Sequence, residues 1–340
     1  MPIYATLTGV SSNKPEGKLK IGKIPLQKIS YLPVKGQVAV LKPIIDKISI
    51  TYIGDPNLTP VLVQNLKQET EAGVCWQMAP WKNGPVLYQA TADLVTPAGG
   101  SVARLQVGPK KKGLSYTLRL EFNPTALGKP GIAFLKQQLE ALVLDGLSFA
   151  KVMTDGRVTR LDVAVDIVGV NISDLLVNVQ TSGKQHWYYS ANGKQETGYF
   201  GIVKGDNNAK WKAYNKRQQL KDTTETPVAQ ADGGLSHTRL EYTYTPMKPL
   251  PLLGDLPNRF TEVSVAYPTA PKGIKHHDWA FFVDSCSRRG EAAALALMPE
   301  GKTRNRYQNA LKIAHAEFWR PAKIWEAWPA PILNVGLVHT

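Results

Sequence analysis

The stretch TRLDVAVDIVG, residues 159–169, decides how this chain is read. Successive side chains of a β-strand point to opposite faces. Leu161, Val163, Val165 and Ile167 therefore share one face, while Arg160, Asp162, Ala164 and Asp166 share the other. The first is a core face. The second holds two acids in a chain with 41 Lys and Arg against 27 Asp and Glu, a net charge of +14. Such a field attracts polyanions, nucleic acid first among them. The acids need a reason to be there.

Outward from this strand, IIDKISITYIG (44–54), LYQATADLV, SVARLQVG and LSYTLRLEFNP (114–124) read as strands, the second and third joined by the turn TPAGG. PVLVQNLKQETEAG (60–73), IAFLKQQLEALVLDGLSFA (132–150), which follows Pro130-Gly131, and NISDLLVNV, with Ser173 as cap, read as helices. HWYYSA, ETGYFGIVKG, AKWKAYNKRQQL and HTRLEYTYTP (237–246) form a second block, broken by a Pro/Gly/Thr-rich interruption at 222–236. IDKISITYIG resembles TRLDVAVDIVG, and SYTLRLEFNP resembles HTRLEYTYTP, in the same order and at a similar offset. Self-similarity of this kind predicts repeated architecture. The expected fold is α+β: antiparallel sheets with flanking helices, in two related sheet lobes (41–150 and 151–272), after an N-terminal extension (1–40) and before a helical C-terminal region (273–340).

Several function classes lose support. The histidines form no HExxH and pair with no cysteine, and there is no Walker loop, GxGxxG or GxSxG. No stretch approaches the roughly 18 apolar residues that span a bilayer, and the N-terminus lacks the parts of a signal peptide. Cys75 and Cys286 lie far apart, as free thiols in a reducing compartment would. The expectation is a cytoplasmic protein with no membrane partner.

In RLEYT, Arg239, Glu241 and Thr243 share a face, repeating the pattern Arg, then an acid two residues on. Adjacent strands lie about 4.8 Å apart, so Asp162 and Glu241 are able to face one another. Two close carboxylates repel unless a cation sits between them. Arg160 and Arg239 are one source of that charge; a divalent ion is the other. Oxygen ligands without His or Cys indicate Mg²⁺ or Mn²⁺. Asp166 is a weaker member of the set, because residues four apart on a strand are about 13 Å apart. Between 199 and 221, Lys204, Lys210, Lys212, Lys216, Arg217 and Lys221 interleave with Tyr199, Phe200, Trp211 and Tyr214. Cations meet phosphates and rings stack on bases, so Lys204, Lys210, Trp211, Lys212, Arg217 and Lys221 are candidate DNA contacts. Lys216, two residues beyond Tyr214, would share its strand face.

In order, TLRLEFNP, a helix, VTRLDVAVDIVG, TGYFGIVKG, WKAYNKRQQLK and HTRLEYTYTP resemble the replication initiation factor family, over about residues 40 to 270. Its members include rolling-circle initiators of plasmids and filamentous phages, and related relaxases. The resemblance implies a tyrosine that attacks one origin strand, keeps the 5′ phosphate and leaves a 3′ hydroxyl for a polymerase. It implies a divalent ion, Mg²⁺ or Mn²⁺, held by acids. Carried over, Tyr214 in AYNK is the nucleophile, Tyr199 its rival, Lys216 a stabiliser of phosphate charge, and Asp162, Asp166 and Glu241 the acids. The family's serine-rich turn appears here as VKGDNNAK, a departure. Partners would be origin DNA, duplex and single-stranded, with the basic C-terminal helices serving origin duplex or a host helicase. Two other classes share these features: a non-enzymatic DNA-binding replication or copy-control protein, and a metal-dependent hydrolytic nuclease.

Overall fold

A computed structural model of the protein describes residues 41–79, 87–96, 100–110, 116–143, 146–182, 184–201, 210–223, 236–267, 270, 272–334 and 337. The N-terminal extension and Lys204 lie outside the described residues, as does most of the 222–236 interruption.

The first half runs β1 (Pro43–Tyr52), α1 (Leu58–Ala72), β2 (Trp76–Met78), β3 (Tyr88–Val95), β4 (Ser101–Pro109), β5 (Leu118–Phe122), α2 (Pro124–Ala141) and α3 (Phe149–Asp155). The second runs β6 (Arg157–Val168), β7 (Leu176–Val179), β8 (Gln185–Tyr189), β9 (Gln195–Phe200), β10 (Trp211–Asn215), α4 (Lys216–Thr223), β11 (His237–Tyr244), β12 (Lys248–Pro249) and β13 (Val263–Ala266). Helices α5 (His276–Arg289), α6 (Glu291–Ala296), α7 (Lys302–Ile313), α8 (Pro321–Trp325) and α9 (Ala330–Asn334) follow. The fold class is α+β, as expected.

Among the described residues the main sheet is ordered β2-β3-β4-β5-β1-β6-β11-β10-β9-β8, with β12 also pairing β6. The order reads the same from its centre outward. β1 and β6 pair antiparallel; the meander β2–β5 returns to β1, and the meander β8–β11 returns to β6. The segments that resemble each other in sequence, β1 with β6 and β5 with β11, thus hold equivalent places. The two lobes are halves of one continuous sheet.

Alternation sorts this sheet into two faces. Ile48 and Ile50, Leu118 and Leu120, Leu161, Val163 and Val165, Leu240, Trp211 and Phe200 are all buried on the inner face. Leu58, Leu62, Val63 and Leu66 give α1 the apolar stripe that packs into the same core. Gly73 stops that helix in the left-handed conformation, at φ 66°, with its N–H donating to Glu69 O.

Two local expectations differ. The helix expected over 132–150 starts earlier, at Pro124, where Asn123 Oδ1 accepts from the Ala126 N–H. Gly128 (φ 58°) kinks it, so Pro130 opens a second segment. NISDLLVNV is a one-turn 3₁₀ piece, Ile172–Asp174, followed by β7. β7 pairs with β13, Val177 opposite Val265, and β-branched residues suit that ladder better than a helix. The C-terminal region is helical as read. Trp279, Phe282 and Tyr307 on α5 and α7 centre a second small core, while Trp319, Trp325 and Trp328 dock beside Phe260 on the first.

Candidate active site on the polar face of the sheet

The outer face of β6, β11 and β10 carries the acids and the tyrosine together. Registers set them in rows. Tyr214 stands opposite Arg239, which stands opposite Asp166; Lys212 stands opposite Glu241, which stands opposite Ala164. Asp162 stands opposite Thr243, so Asp162 and Glu241 are diagonal neighbours rather than direct opposites.

Glu241 is the hub. Tyr214 Oη donates to its Oε2 at 3.0 Å, and Lys212 Nζ bonds its Oε1 at 2.6 Å. Glu241 is 3% exposed and Tyr214 4%. Burial raises the proton affinity of Glu241, Lys212 opposes that, and the Asp162 carboxylate adds to it, leaving Glu241 above its ordinary 4.5. Burial also pushes the Tyr214 phenol well above 10, an effect that Arg239 opposes and Glu241 reinforces. Tyr214 is a protonated hydrogen-bond donor at neutral pH.

Arg239, 5% exposed, fills the next position. Its Nε and Nη2 bind Asp166 at 2.6 and 2.7 Å, and its Nη1 binds Asp46. His237 Nε2 also lies 3.1 Å from Asp166. Against burial, which would raise them, Arg239 holds both carboxylates below their ordinary 3.8. Asp46 sits where a bulge interrupts the β1–β6 register between Ile45 and Lys47. Arg160 grips Asp162 with Nε and Nη2 at 2.7 to 3.1 Å.

Over 111 residues the chain is 35% identical to a replication initiation protein of Staphylococcus aureus, a stretch that covers 33% of this chain and 31% of that protein. Another S. aureus replication initiation protein is 34% identical over 111 residues, covering 33% of this chain and 32% of its own length. The chain is similar to replication initiators. It spans about a third of the length of these curated relatives, and no family model matches it.

The structure brings Tyr214 and Glu241 together, but other expected site residues fall elsewhere. Trp211 is 2% exposed and points inward, 4.8 Å from Tyr242 and 5.4 Å from Phe260 by ring centroid. It is a core residue and not a DNA contact; Phe200 packs inward likewise. Trp211→Ala is expected to cost about 3–5 kcal/mol in urea unfolding, with oligonucleotide affinity of the folded protein unchanged. Weaker binding at unaltered stability would contradict this. Lys212 faces outward but is tied to Glu241. Lys216 is not on the strand: it opens α4. Its Nζ nevertheless reaches 5.8 Å from the Tyr214 ring centroid while bonding Gln219. Burial and Arg239 lower its proton affinity. Lys210, just before β10, and Arg217, in the first turn of α4, are half-buried, and Tyr199 is half-buried on the outer face of β9, opposite Lys212. Lys221 lies on α4.

The three acids do not converge. Asp162 is held by Arg160, Asp166 by Arg239, and both oxygens of Glu241 are engaged. Among the described residues no group of three His, Cys, Asp or Glu side chains stands ready for a metal. Asp162 and Glu241 are diagonal neighbours, and an ion held between them would have to displace Arg160 or Lys212. No described helix is long and apolar enough to cross a membrane.

The first half of the sheet is an internal control. β5 repeats β11: Arg119-Leu120-Glu121 against Arg239-Leu240-Glu241. Arg104 faces Glu121 as Lys212 faces Glu241, and Gln106 faces Arg119 where Tyr214 faces Arg239. Glu121 bonds Lys47, Ser49 and Arg119, and these outweigh burial and hold it below 4.5. The same motif therefore keeps an ordinary ion pair in one half. In the other it keeps a carboxylate of raised proton affinity against a phenol. The framework is common to both halves; the tyrosine and the carboxylate of raised proton affinity belong to one.

Proposed function

We propose that the chain is a rolling-circle replication initiator that nicks and rejoins one strand of origin DNA through a covalent 5′-phosphotyrosine at Tyr214. The observation that carries this reading is the Tyr214–Glu241 hydrogen bond, built on a strand framework whose copy in the other half lacks the tyrosine. The similarity to replication initiation proteins and the +14 charge support it.

In the proposed step the bond from Tyr214 Oη to phosphorus forms as the bond from phosphorus to the 3′ oxygen breaks. The phenol proton passes along the existing hydrogen bond to Glu241, whose raised proton affinity suits it as the base. The 3′ oxygen leaves as a hydroxyl, protonated by Lys216, whose lowered proton affinity makes its ammonium the readier acid. Asp46 and Asp166 hold Arg239 on the strand beside Tyr214, and Arg160 and Lys212 add positive charge where phosphate approaches. The reverse sequence rejoins the strand without ATP. Metal dependence is proposed on Asp162 and Glu241 alone: Mg²⁺ or Mn²⁺ there would polarise a phosphoryl oxygen. Asp166 belongs to Arg239. Origin duplex, host polymerase and host helicase are the partners this role calls for, and the cytoplasm is its place.

The test is an end-labelled origin-like single strand incubated with protein and Mn²⁺, then run on a denaturing gel. Label on the protein band supports the initiator. Free cut DNA would replace it with a hydrolytic nuclease, and intact DNA with a binding protein. The pH profile adds a second check. Glu241 accepts the phenol proton only when ionised, so nicking should fall as the pH is lowered, and Glu241→Gln should form no adduct. Adduct formation by Glu241→Gln at the unaltered rate would remove Glu241 as the base.

A further inference from the structure

The polar face continues past Tyr214 to the edge of the sheet. Registers carry two rows outward across β9 and β8: Lys212 to Tyr199 to His186, and Tyr214 to Thr197 to Tyr188. The rings of these rows touch. Tyr188 and Tyr199 lie 5.8 Å apart at 82°, and His186 and Tyr188 lie 4.6 Å apart at 73°. On the opposite face of the same two strands, Trp187 and Phe200 pack edge to face in the core. Inward aromatics have a packing role there. The outward ones do not: Tyr188 is 57% exposed, His186 is exposed and Tyr199 half-buried.

We infer that Tyr188, Tyr199 and His186 form a stacking platform for single-stranded nucleic acid, on which the nucleotides next to the cleaved phosphate lie. The inference rests on the reading of Tyr214 as the nucleophile. Edge-to-face packing props the rings upright and leaves ring surface open to solvent. Two strand spacings, about 10 Å, separate Tyr188 from Tyr214, which is within reach of the adjoining nucleotides. Exposed Lys184 and Lys194 flank β8 at its two ends, and Lys212 continues the row, so cations line the path that rings occupy. Only an unpaired strand has base faces free to stack; a duplex keeps its own bases stacked on one another.

The test is fluorescence anisotropy of a labelled oligothymidylate with the full chain in EDTA, so that no bond is cut. Tyr188→Ala should weaken binding about 5- to 150-fold, the range of one lost base–aromatic stack. Tyr188→Phe and Tyr199→Phe should bind within about twofold of the unaltered protein, because the ring and not the hydroxyl does the stacking. Tyr188→Ala binding as well as the unaltered protein overturns the inference, and so does Tyr188→Phe binding as weakly as Tyr188→Ala. A change in sedimentation with no change in oligonucleotide affinity would also overturn it, giving the β8 edge to a protein partner instead. Nicking is read separately: an adduct without ring dependence sinks the platform alone, and ring dependence without an adduct sinks the nucleophile alone.

Discussion

Tyr214→Phe is expected to lose the covalent protein–DNA adduct altogether, a drop of at least about 10³-fold in strand cleavage, because the attacking oxygen itself is removed. The ring stays and fills the same space, so packing under Lys216 is preserved. What changes locally is Glu241, whose Oε2 loses its donor while Lys212 keeps Oε1. An unsatisfied buried acceptor costs about 1–3 kcal/mol, which a thermal melt would register without unfolding the protein. Duplex affinity should hold within about twofold, since the hydroxyl points at Glu241 and not outward. Retention of adduct in the variant would move the chemistry to Tyr199, which is more exposed and one strand nearer the edge.

Arg239→Met should have the largest effect on the fold. The guanidinium lies between Asp166 and Asp46 with its side chain 7% exposed. Removing it leaves two half-buried carboxylates without their shared cation, and breaking a pair with a buried partner this way costs about 3–5 kcal/mol. The sign with pH follows from the direction of the shifts. Both acids are held below 3.8 in the folded protein, so their contribution is complete above that value and is lost as pH falls through the lower folded values. Without Arg239 the acids lose their main opposition to burial, keeping only Lys216 and Asn123 beside Asp46 and His237 beside Asp166, and take up protons at higher pH. The stability gap between the two proteins should be widest near neutral pH and narrow towards pH 4.5. Urea unfolding across that range measures it; a gap below about 1 kcal/mol, or one independent of pH, would mean that the cluster is not the keystone.

Much of this architecture was legible. The 159–169 strand could be read because its two faces differ in chemistry, and period-2 alternation puts each residue on one side or the other. The same rule, applied to WKAYN, already puts Trp211 and Ala213 on one face and Lys212 and Tyr214 on the other; composition alone hid the fact that Trp211 faces the core. The two RLE strands announced the repeat. Register was not legible. Glu241 falls opposite Ala164 rather than Asp162 because pairing is fixed by long-range packing and by connections that no short motif encodes. Asp46 was missed because it sits in a bulge, although two adjacent polar residues, Asp46-Lys47, between buried isoleucines were the available sign. Whether arginines or a metal offset the acids was open in the sequence. Side-chain geometry gives each of Asp162 and Asp166 to an arginine.

The most direct measurement is the identity of the residue that carries DNA after cleavage. Protein reacted with a labelled origin-like strand is trimmed with nuclease, digested, and its modified peptide sequenced by mass spectrometry. A nucleotide-bearing phosphotyrosine at position 214 is the expected result. The same modification at Tyr199, or on any other residue, would contradict it.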